Sequence, residues 1–473
     1  MTIVRSEPLS VARVARHDGF GARLMLPLAF GCVLNPVNST LISTALVPIG
    51  QDLHASAAQT GWLIAGLYLA SAIAQPTMGR LADLVGARRV YLFGLVLILL
   101  SGVAGEFASS LGALTGVRVL LGIGTSAAYP ASMTIIRERA SLLGSPPPRL
   151  AMGILSLASL VTVALGPVLG GVLTGVWGWH SIFLVNVPLA AIAIALVAGW
   201  IPKDVRKPEG LSRVARELDL GGIGLFAAFM LATMFFLTHL RSPTWALLPL
   251  AALLCAALVW HERRRQQPFI DVRMLASNVP LTVTYIRNAL VFLPVYCVLY
   301  GFAQWLEAGP GFSSAQAGLI TLPMSVLAAI CSLLAARTKG IRAPLLLGIG
   351  SIVVGCLCFL LLGSTSGAIA IATAALLFGV PQGVLSTSIQ ACVYIQAPAN
   401  EIGTAAGLQR TSGYIGAIGA SSLLGFVYGH RASDAGFHRL MLIIAALGAV
   451  LVISTFFDRT IPRLQTNNTQ PQH

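Results

Sequence analysis

A polytopic membrane protein built only from helices is the fold class this chain predicts, and three observations predict it. Hydrophobic residues make up 56% of the 473 residues and charged residues 10%. The apolar residues fall into about fourteen continuous runs, each near the roughly 20 residues that cross a hydrocarbon core. Most of the charges lie between these runs, not inside them. A β-barrel is excluded because its strands are short and alternate apolar with polar residues, whereas these runs are unbroken and rich in Leu, Ala and Ile. No polar stretch is long enough for an extramembrane domain. The 48 Gly and 25 Pro suit close helix packing and broken helices in lipid.

The elements follow in order. Residues 1–23 carry Arg5, Arg13, Arg16 and Arg23 without an apolar core, so they read as a cytoplasmic tail and not a signal peptide. Spans 24–49, 57–78, 90–110, 112–135, 151–175 and 181–201 form a first six-helix bundle over 24–201. The charged stretch 202–220 is the longest inner loop and serves as a cytoplasmic linker. Spans 221–240 and 244–260 make an inserted hairpin over 221–260, followed by a cytoplasmic loop, 261–279. Spans 280–303, 315–336, 343–363, 367–393, 403–427 and 438–457 form a second six-helix bundle over 280–457, and 458–473 is a second tail. An even count of fourteen transmembrane helices places both ends on one side.

Net charge is +14, and only 3 of the 30 basic residues are Lys. Nucleic-acid binding needs a contiguous basic face; here the charges decorate short loops on one side. The other side holds Arg241, Arg431 and Arg439, while Arg118 and Arg287 lie within spans. This positive-inside bias puts both termini in the cytoplasm of a bacterial-type cell membrane. All 7 cysteines fall in apolar segments and read as small hydrophobes. Cys356 and Cys358 lack the usual metal-ligand spacing, so no metal is expected. No span shows a nucleophile–base pair or a phosphate-cradling loop. The chain reads as neither an enzyme nor a cofactor carrier, and nothing calls for an obligate protein partner.

Between spans two and three stands Gly79-Arg80-Leu81-Ala82-Asp83-Leu84-Val85-Gly86-Ala87-Arg88-Arg89. The glycines allow a tight turn and close helix approach. Asp83 can cap or pair near a helix end, with Arg88 and Arg89 at the interface. This string resembles the signature loop of the major facilitator superfamily. The resemblance implies that Gly79, Arg80, Asp83, Gly86, Arg88 and Arg89 form a cytoplasmic gate that influences the switch between outward-open and inward-open states. Arg118-Val119-Leu120-Leu121-Gly122-Ile123-Gly124 resembles the family's membrane-embedded arginine and glycine motif. Gly153 and the run Gly166-Pro167-Val168-Leu169-Gly170-Gly171 resemble its antiporter motif, which implies a kinked helix closing the outward path. Trp179 through Pro188, Thr40 through Pro48, and Trp62-Leu63 with Tyr68-Leu69 and Pro76 look like the fourteen-helix drug:proton antiporter branch. Two six-helix bundles flanking a central two-helix insertion are the fold so implied.

Members of that branch commonly carry an Asp two positions before the first-helix Thr; this chain has Asn38. An amide cannot exchange a proton near neutral pH as a buried carboxylate can. Asn38 serves either a substrate or gating contact or interhelical packing. No Asp or Glu lies deep in a span. Glu106 and Glu307, near the outer span ends, are the acidic candidates for coupling or transport. Arg118, buried about 10 Å along its helix, is either structural or close to the proton route. Arg287 either snorkels to the interface or faces the cavity. Further cavity candidates are Asn35, Gln75, Tyr129, Asn288, Tyr296, Gln304, Gln382 and Gln390. His239 is more a surface residue than a titrating site.

The expected function is secondary active transport: efflux of small hydrophobic or amphipathic molecules across the lipid bilayer, with protons as the coupling ion implied by the resemblance. The alternative is an exporter of a neutral, anionic or lipid-like metabolite that uses Arg118 and Arg287 and a non-standard coupling. A non-transporting sensor or scaffold stands behind both.

Overall fold

The computed structural model describes residues 20–144, 149–204, 218–238, 244–266, 268–338, 340–397 and 402–461. The first tail, most of the linker, His239, Arg241 and the end of the second tail lie outside them. The regular elements among the described residues are all helical. In chain order they form α1 (Ala22–Leu41), extended by a 3₁₀ turn, Ile42–Thr44, then α2 (Leu46–Asp52), α3 (Ala57–Val85) and α4 (Ala87–Glu106). Next come α5 (Leu111–Thr125), α6 (Ala128–Leu142), α7 (Arg149–Trp177), α8 (Ser181–Leu184) and α9 (Asn186–Trp200). The hairpin is α10 (Leu220–Thr238) and α11 (Leu247–Arg264), and α12 (Val272–Ser277) follows it. The second group is α13 (Val279–Cys297), a π-turn (Val298–Phe302), α14 (Ala303–Ala308), α15 (Ser314–Ala336), α16 (Arg342–Phe359), α17 (Ala368–Gln396), α18 (Ile402–Tyr428) and α19 (Asp434–Phe457). Eleven of the described helices, some joined through short breaks, are long and apolar enough to cross a membrane.

Several helices outrun the apolar spans expected of them. The span expected at 57–78 continues to Val85, because a helix does not stop where hydrocarbon stops. Gly86 stops it: φ is +110°, a backbone region closed to most side chains. The Asp204 carboxylate then accepts the Arg88 and Arg89 backbone N–H groups at 3.0 and 3.1 Å, satisfying orphan donors at the start of α4. Arg88 donates to the Ala198 carbonyl at 2.7 Å. The residue that pins the Gly79–Arg89 loop therefore comes from beyond α9, far along the chain.

Within the first group α1 packs on α7, α3 on α5, and α4 on α5 and α9; within the second α13 packs on α18, α15 on α17, and α16 on α17 and α19. Two seams join the groups, α3 against α18 and α7 against α15. The seams are built alike. Ser56 and Gln59 cap α3 reciprocally, and Ser313 and Gln316 cap α15 in the same way. Two residues past each Gln stands a glycine. Gly61 lies under the Ser421 carbonyl, where a Cβ would meet it at 3.3 Å, and Gly318 lies under the Pro167 carbonyl at 2.8 Å. The segments Ser56–Gly61 and Ser313–Gly318 are thus one structural unit used twice.

We call the end carrying Arg88, Arg89 and Arg263 the basic end. At the opposite end the Ala57 and Ala58 N–H groups donate to the His430 and Gly429 carbonyls at 3.2 and 3.0 Å, closing the first seam. The largest hydrophobic core runs through both groups there and continues through the second group and the hairpin to Leu258, Ile341 and Ile461 at the basic end. Two further clusters lie toward the basic end, one within the first group and a small one within the second. The hairpin spans the first seam, α10 packing on α3 and α18, with the Trp62 and Phe235 rings 4.8 Å apart.

The Asp204 cap makes a direct prediction. Asp204→Ala should lower stability by about 1 kcal/mol through the lost cap. Gly86→Ala should cost about 1–3 kcal/mol through backbone strain. Thermal unfolding of purified protein in detergent, followed at α-helical wavelengths, measures both.

Candidate functional site

Burying polar groups among apolar helices requires each to find a partner, and the pairs made in this way define the centre of the molecule. Asn38 (3% exposed) and Asn186 (0%) exchange amide hydrogen bonds. Asn38 donates to Asn186 Oδ1 at 2.6 Å, and Asn186 donates to Asn38 Oδ1 at 2.8 Å. The amide at position 38 therefore joins α1 to α9 and does not line the central cavity. Arg118 (2% exposed) donates through Nε to the Leu63 carbonyl at 2.9 Å and through Nη1 to the Asn38 carbonyl at 2.7 Å. Asn35 donates to Thr125 Oγ1 at 2.9 Å.

The proline–glycine run of α7 lies against α1. A Cβ on Gly166 would overlap the Thr40 side chain, one on Gly170 would overlap the Leu41 carbonyl, and one on Gly171 would overlap the Ser314 carbonyl of α15. Thr44 donates to the Pro167 carbonyl at 3.4 Å. Gly166, Pro167, Gly170 and Gly171 thus pack one helix against both groups at once.

Aromatic side chains bridge the groups at the centre. The Tyr68 and Tyr300 hydroxyls are 2.8 Å apart, and Tyr300 donates to the Ser39 carbonyl at 2.7 Å. The Tyr68 ring also lies 5.1 Å from Tyr296 and 5.3 Å from Tyr414. Tyr414 donates to Gln75 Oε1 at 2.9 Å. Arg410 sits over the Tyr129 ring at 3.6 Å, a cation–π contact between α18 and α6. The π-turn follows directly after Tyr296 and holds Tyr300; such turns often re-aim side chains at functional positions.

Between the groups lies a cavity of about 110 Å³ bounded by Val163, Phe292, Val295, Tyr296, Leu299, Ala328 and Ala329, with Ser39, Thr40, Gln382 and Ser386 as its polar lining. Among the described residues no charged side chain lines it. Of the residues expected from sequence, Tyr296 and Gln382 border this cavity. Gln75 and Asn288 are engaged in packing, the latter donating to the Gln409 carbonyl at 2.7 Å and to Ser412 at 2.8 Å. Gln304 is buried, while Gln390 is exposed. Phe292, Ser39, Thr40 and Ser386 were missed. Phe292, Tyr296 and Tyr300 recur every fourth residue, and that aromatic stripe was a readable signal.

The charged candidates separate. Glu106 is exposed at the end of α4. Glu307 is partly buried; Ser314 donates to its Oε2 at 3.3 Å, and its Oε1 is buried without a hydrogen-bond partner. Ser314 is the residue whose carbonyl meets Gly171. Arg287 is ion-paired with Asp458, whose carbonyl also binds Arg342, so it meets the start of the second tail and neither snorkels alone nor faces the cavity. Asp83 accepts from Arg137 at 2.6 Å, and Arg80 reaches the Pro268 carbonyl at 3.4 Å, joining the last turns of α3 to the connector after the hairpin. Gly79 approaches Pro130 of α6 closely.

Residues 28–421 match the family model described as Major Facilitator Superfamily. A Bacillus subtilis protein named an uncharacterized MFS-type transporter, YwoD, is 32% identical over 441 residues, spanning 92% of this chain and 97% of its own length. Multidrug resistance protein Stp of Mycobacterium tuberculosis is 28% identical over 85% of this chain and 75% of its own. The tetracenomycin C resistance and export protein of Streptomyces glaucescens is 27% identical over 92% of this chain and 81% of its own. Among solved structures, a peptide transporter POT aligns with a TM-score of 0.70 at 15% identity, covering 97% of this chain and 99% of its own. The xylose transporter XylE of E. coli in an inward open conformation aligns at 0.61 and 12% identity, covering 94% and 97%. Paired helix groups, two repeated seams and the Gly79–Arg89 loop agree with these matches: the chain is a non-enzymatic transporter belonging to the major facilitator superfamily.

Proposed function

We propose that this protein is a proton-coupled exporter of small hydrophobic or amphipathic compounds. In this reading fourteen helices cross a bacterial cell membrane, with both termini and the basic end in the cytoplasm. The bundles 24–201 and 280–457 rock about the central cavity, and the hairpin 221–260 rides on one seam. The observation that carries the reading is the cavity itself: aromatic and aliphatic walls, four small or amide polar groups and no charge. Such a lining rewards burial of apolar surface without demanding one hydrogen-bond pattern. The relatives named for multidrug resistance and for tetracenomycin C resistance and export support the same substrate class. Among the described residues no cation lines this cavity to meet an anionic substrate; Arg118 is held by two backbone carbonyls and Arg287 by Asp458.

With an amide at position 38 locked to Asn186, coupling falls to another acid, and Glu307 is the one placed for it. Its carboxyl touches Ser314, and Ser314 is the contact of α15 with Gly171. Adding or removing a proton there changes charge beside the α7–α15 seam, one of the two that must part for access to alternate. The Gly79–Arg89 loop acts as the cytoplasmic gate in this cycle.

Two measurements test the proposal. In reconstituted vesicles, a lipophilic compound should drive a counter-flux of protons, whereas an organic acid should not. Phe292→Ala and Tyr296→Ala should each weaken that compound's binding about tenfold, the equivalent of roughly 1.4 kcal/mol; unchanged affinity in both would refute the cavity as the substrate site. Glu307→Gln should abolish uphill transport while substrate exchange persists. If uphill transport continues in that variant, coupling does not run through Glu307.

A further inference from the structure

The base of the inserted hairpin holds a buried acid pair that the transport reading leaves unused. Asp219, 2% exposed, turns the chain into α10 with φ +47°. Its Oδ1 lies 2.7 Å from His261 Nε2, accepts the Gly222 N–H at 3.3 Å, and stands 3.4 Å from Arg265 Nε. Its Oδ2 is buried without a hydrogen-bond partner. Glu262, on α11, is 0% exposed, and both its carboxyl oxygens lack hydrogen-bond partners. A Cβ on Gly222 would collide with Glu262 Oε1 and come within 2.6 Å of Asp219 Oδ2. The unfilled oxygens of both acids therefore converge over one glycine. Glu262 lies two residues past Trp260, where the apolar stretch of α11 ends, so the pair sits at the basic end and outside the hydrocarbon.

Two buried carboxylates at this spacing repel each other and leave lone pairs unsatisfied. The smallest ligand that answers both faults is a proton. We propose that Asp219 and Glu262 form a proton-binding site at the base of the hairpin, separate from the central passage, through which pH at the basic end sets the transport rate. The link to rate rests on the transporter reading; the proton site does not.

Burial, and then the charge of Asp219, pushes the Glu262 carboxyl up to about 7. Burial alone would raise Asp219 as well, but the His261 and Gly222 hydrogen bonds and the charges of His261 and Arg265 bring it below its ordinary range. Glu262 is therefore the member that carries the proton, and it releases it to water at the basic end. The groups facing it are Asp219 at the start of α10 and His261 on its own helix, with Arg265 acting through Asp219. From the connector the Phe269 and Ile270 backbone N–H groups approach it and oppose the rise, without reaching hydrogen-bond geometry. Asp271 instead caps α12, and Arg273 binds the Arg265 carbonyl.

The connector gives the site its reach. The Phe269 ring packs on Phe226 of α10 at 5.6 Å, and the Pro268 carbonyl accepts from Arg80 of the gate loop. Ionising Glu262 places a second negative charge under this cover and loosens the Pro268–Arg80 contact. The sign for stability follows: a carboxyl raised from its ordinary range to about 7 withdraws stability as pH climbs through that interval, with no further loss above it.

Infrared titration of full-length protein in lipid vesicles tests the site. It should show a buried carboxylic acid losing its proton near pH 7, absent in Glu262→Gln and moved down by about one pH unit in Asp219→Asn. In the same vesicles, transport by wild type should change with pH at the basic end, while Glu262→Gln keeps the low-pH rate throughout. Persistence of the infrared signal in Glu262→Gln overturns the proposal. If that variant does not fold, an unmoved midpoint in Asp219→Asn overturns it instead. A wild-type rate that ignores basic-end pH overturns the regulatory half. Absence of wild-type transport at any pH refutes the transporter reading, and the infrared titration still decides the proton site.

Discussion

A guanidinium inside a hydrocarbon slab must be solvated by the protein, because no water is there to do it. Arg118 shows how that demand organises the first group of helices. It starts on α5, binds the Leu63 carbonyl of α3 and the Asn38 carbonyl of α1, and so fixes three helices about one charge. Asn38 then uses its side chain to hold Asn186 on α9. One residue along, the Ser39 carbonyl accepts from Tyr300 of the second group. A single chain of donors and acceptors thus runs from a buried cation to the boundary between the halves. Removing a member leaves another buried polar group unpaired, which is why the centre is specified so tightly.

The contacts between the halves have a different character. They consist of small residues under carbonyls, as at Gly61, Gly318 and Gly171, and of stacked or tilted tyrosines around Tyr68. Lipid supplies little hydrophobic force between helices, so close van der Waals packing is what joins them. Hydrogen bonds cross between the halves as well, from Tyr300 to the Ser39 carbonyl and from Tyr414 to Gln75, and Arg410 meets the Tyr129 ring. Close packing and a few polar contacts together join the halves.

At the basic end nearly every described acid has a structural task. Asp83 meets Arg137, Asp204 caps α4, and Asp458 meets Arg287. These pairs tie loops and tail to helix ends and leave the central cavity uncharged. Glu307, Glu262 and Asp219 differ because each has a buried oxygen without a hydrogen-bond partner.

The helical, membrane-spanning class was written in the sequence because hydrocarbon imposes length and apolarity on every segment alone. The superfamily was legible for a related reason: turns such as Gly86 and close approaches such as Gly170 tolerate few residue types, so they leave fixed strings. The repeated Ser-x-Ala-Gln-x-Gly at 56–61 and 313–318 was equally available and announces the paired seams. Contacts between distant segments were beyond reach. Nothing near Asn38 signals Asn186, nothing in the Gly79–Arg89 segment signals Asp204, and Arg287 gives no hint of Asp458. A polar side chain in a span must find a partner, but which one depends on how the helices are rotated and set in height. That choice is made by packing all of them together, and only the tertiary structure records it.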